Sequence, residues 1–89
     1  MTITTNTETT LLEKTNNNKD SFVVVGSGTW DSATATLGYI NASGATIALD
    51  GGAFTANFQK EVTLPGKKIV VTTAGGGGSL SLDIEASNA

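Results

Sequence analysis

Apolar and polar residues alternate along this chain in short runs, which stop at glycine, asparagine or aspartate about every ten residues, the spacing of a small all-β domain. Ser21-Phe22-Val23-Val24-Val25 predicts a strand buried on both faces at its centre, ended by Gly26-Ser27-Gly28. After Trp30 the run from Ala33 to Tyr39 has period two, with Ala33, Ala35, Leu37 and Tyr39 on one face and Thr34, Thr36 and Gly38 on the other. That is the pattern of a half-buried antiparallel strand. Asn41-Ala42-Ser43-Gly44 predicts a tight connection into a returning strand, Ala45-Thr46-Ile47-Ala48-Leu49, which Asp50-Gly51-Gly52 closes. Phe54 and Phe58 frame the next segment, Val62 and Leu64 point inward, and Pro65-Gly66 turns the chain into a strand from Lys67 to Thr73. Beyond Gly75-Gly76-Gly77-Gly78 the last strand puts Leu80, Leu82, Ile84 and Ala86 on one face and Ser79, Ser81, Asp83 and Glu85 on the other.

No helix of ordinary length fits this pattern. It predicts an all-β fold, a small antiparallel β-sandwich or jelly-roll-like domain over residues 21–89, with an extended N-terminal arm. The expected core is Phe22, Val24, Trp30, Leu37, Tyr39, Ile47, Leu49, Phe54, Val62, Leu64, Ile69, Val71, Leu80, Leu82 and Ile84. Residues 1–20 read differently. Thr2 to Thr10 is Thr-rich with Ile3 its one apolar residue, too little to build a core of its own. It is either a frayed tail or an arm ordered by lying on another subunit. Leu11-Leu12-Glu13-Lys14 is one helical turn or the end of an arm strand, and Thr15 to Asp20 is a polar loop. As an arm, its candidate partner-binding residues are Thr2, Ile3, Thr4, Thr5, Thr7, Thr9, Leu11 and Leu12.

Length sharpens this picture. A chain of 89 residues buries only about 60% of its unfolded surface, so a monomer is marginal. There is no cysteine for a disulfide and no Cys/His cluster for zinc. Oligomerisation is the remaining common supplement. Five lysines against eight acidic residues give a net charge of -3 with no arginine, which argues against nucleic acid as a partner. No apolar run approaches a membrane span, and no secretory leader is visible.

The candidate chemistry is thin. Without histidine, cysteine or arginine the chain lacks the usual proton shuttle, thiolate and bidentate anion clamp. Gly75–Gly78 is not followed by the Lys-Ser/Thr of a phosphate loop, so it reads as a flexible hairpin connection. Gly26-Ser27-Gly28 has no histidine base to make a nucleophile elbow. Asp50 and Asp31 lack the acidic neighbours of a calcium site and read as turn residues. Asp83 and Glu85 share a strand face that alternates with serine and reads as solvated. Trp30, Tyr39, Phe54 and Phe58 could form a sugar-stacking platform, but a sandwich this small needs its few aromatics inside. Thr-x-Thr at Thr2/Thr4, Thr5/Thr7 and Thr34/Thr36 has no fixed repeat and reads as solvent-facing threonine. Neither enzymatic activity nor a cofactor or metal is expected.

The stretch from Phe22 to Ala86 resembles the capsid decoration, or head cement, proteins of tailed bacteriophages. The residues that carry the likeness are Ser21-Phe22-Val23-Val24-Val25-Gly26-Ser27-Gly28-Thr29-Trp30, the alternating strand and Gly-rich hairpin that follow, Val62-Thr63-Leu64-Pro65-Gly66-Lys67-Lys68-Ile69-Val70-Val71, and the closing Ser79-Leu80-Ser81-Leu82. The likeness departs from the pattern at Ala53, which separates Asp50-Gly51-Gly52 from Phe54. The resemblance implies a homotrimeric β-sandwich or jelly roll, made in the host cytoplasm, that binds the major capsid protein on the outer surface of the virion and clamps neighbouring subunits. Two other readings are a tail, neck or fibre-associated virion domain, and a carbohydrate- or cell-surface-binding module. The last requires exposed aromatics, so the burial of Trp30 and Tyr39 discriminates it.

Overall fold

The alternating runs form eight strands in a computed structural model that describes residues 1–13, 21–63 and 68–88. They are β1 (Thr2–Ile3), β2 (Glu8–Glu13), β3 (Ser21–Thr29), β4 (Thr34–Ile40), β5 (Thr46–Phe54), β6 (Phe58–Thr63), β7 (Lys68–Ala74) and β8 (Ser81–Asn88). Two four-stranded antiparallel sheets pack as a sandwich, one in the order β1-β8-β3-β6 (sheet A) and the other β2-β7-β4-β5 (sheet B). The pairing is nested: β4 with β5, β3 with β6, β2 with β7, and β1 with β8. Strands β3 and β4 then join these pairs into sheets by bonding β8 and β7.

Alternation decides which side chains meet between the sheets. Phe22 and Val24 of β3, Leu82 and Ile84 of β8 and Val62 of β6 face Ala35 and Leu37 of β4 and Ile69 and Val71 of β7, all buried. Trp30, Tyr39, Leu49 and Phe54, expected inside, are half-buried at the margin of this cluster. Ile47 is 38% exposed although it shares the Tyr39 and Ile69 row, because it sits on the edge strand β5. Val25, on the outer face of sheet A, is 44% exposed. The loop expected at Thr15–Asp20, the inward position at Leu64 and the Pro65-Gly66 turn lie outside the described residues.

The expected division at residue 20 is corrected by the first thirteen residues. Ile3 pairs with Leu82 and is 3% exposed, and Leu11 and Leu12 pack against the core. Both β1 and β2 are therefore edge strands of the sandwich itself, and the segment from Leu11 to Glu13 is strand and not helix. One buried isoleucine, worth about 1.5–3 kcal/mol, and a ladder of backbone bonds hold what composition alone presented as a tail.

Asp50-Gly51-Gly52 does not end its strand. Ala48 pairs with Gly38 and Ala53 with Thr36, so Leu49 to Gly52 bulge opposite one residue, with Gly51 at φ +73° taking the left-handed position. Sheet B is also strongly coiled. The Thr46 hydroxyl on β5 donates to Glu8 Oε1 on β2 (2.7 Å), although these strands are opposite edges. Twist raises diagonal corners of a sheet toward one face. Val70, an outward position of the same sheet, is only 1% exposed.

Two substitutions test the packing. Ile3→Ala should lower unfolding free energy by about 2–4 kcal/mol in urea titrations, where a frayed tail would give no change. Thr73, 2% exposed, has an Oγ1 with no hydrogen-bond partner among the described residues, so Thr73→Val should raise stability by about 1 kcal/mol.

Candidate functional site

Four connections gather at one end of the sandwich: β1–β2, β3–β4, β5–β6 and β7–β8. Their backbones run too irregularly to form a ladder with one another, and three polar side chains supply most of the bonds that join them. The Asn6 amide donates to the Gly76 carbonyl (2.9 Å) and accepts from the Gly76 N–H (2.8 Å), pairing as a strand residue would. Asp31 Oδ2 accepts the Ser79 N–H (2.9 Å), while its carbonyl accepts the Gly77 N–H (3.2 Å). Asn57 Oδ1 accepts both the Trp30 indole N–H (2.9 Å) and the Gly28 N–H (3.2 Å).

The β3–β4 connection is a strained turn. Ala33 N–H donates to the Trp30 carbonyl (2.8 Å), and both central residues, Asp31 (φ 46°) and Ser32 (φ 67°), take left-handed backbone. Such residues cost about 1–2 kcal/mol each, less for aspartate; the two bonds from the glycine loop to Asp31 offset part of that. The glycines are thus read differently from a flexible connection. A β-carbon on Gly77 would collide with the Asp31 carboxylate, and one on Gly76 would crowd Leu80 (2.8 Å) and Asn6 (3.0 Å). Gly75 has φ +77°, and only Gly78 has open space around it.

Aromatic side chains plug the same end. Phe54 and Phe58 stack at 3.9 Å between centroids, and Trp30 tilts against Phe58 at 6.1 Å. Phe58 lies where a side chain at Gly26 would be, so Gly26 exists to admit the ring. These rings are turned onto the core and onto one another, and no flat aromatic platform faces solvent; Tyr39 is likewise half-buried. The large apolar side chains left exposed among the described residues are Met1, Val25 and Ile47.

The eight partner-binding residues expected in the N-terminal segment are divided by the fold. Ile3 is buried, Thr9, Leu11 and Leu12 are half-buried, and Thr2, Thr4, Thr5 and Thr7 are exposed on β1 and its connection to β2. Asp83 and Glu85 do stand side by side on the outer face of sheet A, where the Met1 ammonium binds Asp83 (3.1 Å) and Glu85. Asn6, Asp31 and Asn57 had no sequence signal beyond their types. The clue to Asn6 and Asp31 was the four consecutive glycines, two of which these side chains approach closely.

Among the described residues there is no cluster of three metal-ligating side chains and no ligand-sized cleft. What the surface does offer is strand edge and sheet face. No protein-family model, curated protein or solved structure matches the chain.

The loop end yields a paired prediction. Gly77→Ala should cost about 1–3 kcal/mol in thermal or urea unfolding through overpacking against Asp31, whereas Gly78→Ala should be close to neutral. Equal effects at the two positions would contradict the knitted loop.

Proposed function

We propose that this protein is a structural subunit of a virus particle, a capsid decoration protein that binds the outer shell and bridges neighbouring capsid subunits. The observation that carries the reading is the nested strand order, β1-β8-β3-β6 against β2-β7-β4-β5. We read that order as the wrapping of an eight-stranded jelly roll, an architecture that capsid and lectin domains use. Between those two uses, the aromatics favour the shell. Lectin-type stacking needs an aromatic face open to a sugar ring, and Trp30, Tyr39, Phe54 and Phe58 are all half-buried against the core. The resemblance of Phe22–Ala86 to cement proteins of tailed phages points the same way.

In this reading the protein acts through contacts and not through chemistry. It is a homotrimer whose partner is the major capsid protein. Its stable seat comes from many copies on a repeating lattice, where weak contacts add as effective concentration. Binding to shells assembled without the protein tests this directly. Purified protein should sediment with the shells, saturate at a stoichiometry fixed by the lattice, and have a trimer's mass in solution by analytical ultracentrifugation. A monomer that stays in the supernatant would overturn the reading, and so would retention on a glycan surface in place of shells.

A further inference from the structure

The fold makes a bulge of Asp50-Gly51-Gly52, and the proposed function makes no use of it. Its chemistry is singular in this chain. Of the four aspartates, Asp20, Asp31, Asp50 and Asp83, Asp50 alone precedes a glycine, and no asparagine does. Glycine has no β-carbon to hinder its own nitrogen. An aspartyl-glycine pair is therefore where a main-chain nitrogen most readily reaches the side-chain carbonyl before it. Whether it does so in a folded protein depends on what holds the two residues.

The bulge puts both in the open. Leu49 to Gly52 stand opposite one residue of β4, between the Gly38–Ala48 and Thr36–Ala53 pairs, and β5 is an edge strand of sheet B. The ends of the bulge are anchored. Leu49 is half-buried, and Gly52 is buried where a β-carbon would crowd the Leu49 side chain (3.0 Å) and carbonyl (3.1 Å). Asp50 and Gly51 between them are exposed. A β-carbon on Gly51 would meet nothing within 4 Å, and its φ of +73° is left-handed. Among the described residues the Asp50 carboxylate has no hydrogen-bond or ion-pair partner.

The other described aspartates are held. Asp31 Oδ2 accepts the Ser79 N–H (2.9 Å), and the next residue, Ser32, is fixed at φ 67° in the β3–β4 turn. Asp83 precedes Ile84, whose N–H is bonded to the Met1 carbonyl (3.0 Å) and whose side chain is β-branched.

We infer that Asp50-Gly51 is a modification site, at which the folded protein converts an aspartyl linkage to an isoaspartyl one. The Gly51 nitrogen adds to Asp50 Cγ. The nitrogen gives up its proton and Cγ its hydroxyl, which leave as one water, and a cyclic succinimide remains. Water then returns at one of two carbonyls. At Cγ it breaks the new C–N bond and restores aspartate. At the main-chain carbonyl it breaks the original peptide bond, so that the chain runs through Cβ and Cγ and the carboxylate stays on Cα. Nothing is oxidised or reduced, and the mass is unchanged. The main chain gains one carbon where four residues already stand opposite one, so the pairs on either side keep their register.

The test is peptide mapping of the full chain after prolonged incubation at neutral pH and body temperature. Electron-transfer fragmentation tells the two linkages apart at equal mass and assigns them to a position. Isoaspartate should accumulate at Asp50 in the folded protein and stay at background at Asp31 and Asp83. Urea kept below the unfolding transition raises the unfolded fraction manyfold and should leave the Asp50 rate unchanged, because the native bulge is the reacting form. Asp50→Asn, an exposed change, should react severalfold faster and lose its amide, since ammonia then leaves in place of water. Conversion that rises with urea in step with the unfolded fraction would overturn the inference, because the fold would then be protecting Asp50. So would an Asp50 that stays aspartyl in the folded protein while the fully unfolded chain converts, an amide that persists in the Asp50→Asn variant, or equal conversion at Asp31 and Asp83.

Discussion

Strand β8 bonds to β1 on one side and β3 on the other, and the rest of the sandwich depends on that closure. In a nested order only β4 and β5 are a local hairpin. Every other pair joins segments that are distant in sequence, up to the two ends of the chain. Such contacts form only after loop-closure entropy has been met. The closing strand therefore carries a heavy share of the core, through Leu82 and Ile84, both almost fully buried. Ile3 lies over the same row. A chain of this size has little stability to spare, so its ends cannot be ornamental.

The second constraint acts at the loop end, where four irregular connections must be held without a ladder. Asn6 and Asp31 both satisfy backbone groups of the β7–β8 connection, where glycine lets them approach, and Asn57 holds Gly28 and the Trp30 indole. Two left-handed residues in the β3–β4 turn are tolerated because the glycine loop bonds to Asp31 on both its side chain and its carbonyl. Polar residues thus serve as structure here, and the apolar aromatics of the same end serve as its plug. The surface left over is sheet face and strand edge.

Much of this was legible in the sequence where periodicity had a physical reason to be clean. Ala33 to Tyr39 and Leu80 to Ala86 alternate because each has one face on the core, and the structure puts both where the alternation predicts. The Asn41–Gly44 connection was also readable: Asn41 Oδ1 accepts from the Ser43 and Ala45 N–H groups (both 3.0 Å) and Gly44 has φ +91°. Legibility failed where tertiary context supplies what local pattern lacks. Thr2-Ile3-Thr4 contains one apolar residue, so nothing local marks it as a strand; its partner is eighty residues away in β8. Ile69 and Val71 were readable as core, but Val70, on the other face of the same strand, is also only 1% exposed, which alternation does not announce. Asp50-Gly51-Gly52 has the composition of a turn and forms a bulge, because β4 continues alongside it.

The central claim is that the first thirteen residues close this molecule's own sheets. Isotope-filtered nuclear Overhauser spectroscopy on an equal mixture of labelled and unlabelled protein measures it most directly. The account predicts cross-strand backbone contacts between Ile3 and Leu82 and between Thr9 and Val71, within one molecule and unchanged on dilution. Contacts found only between molecules, or random-coil shifts for residues 1–13 beside a folded remainder, would contradict it.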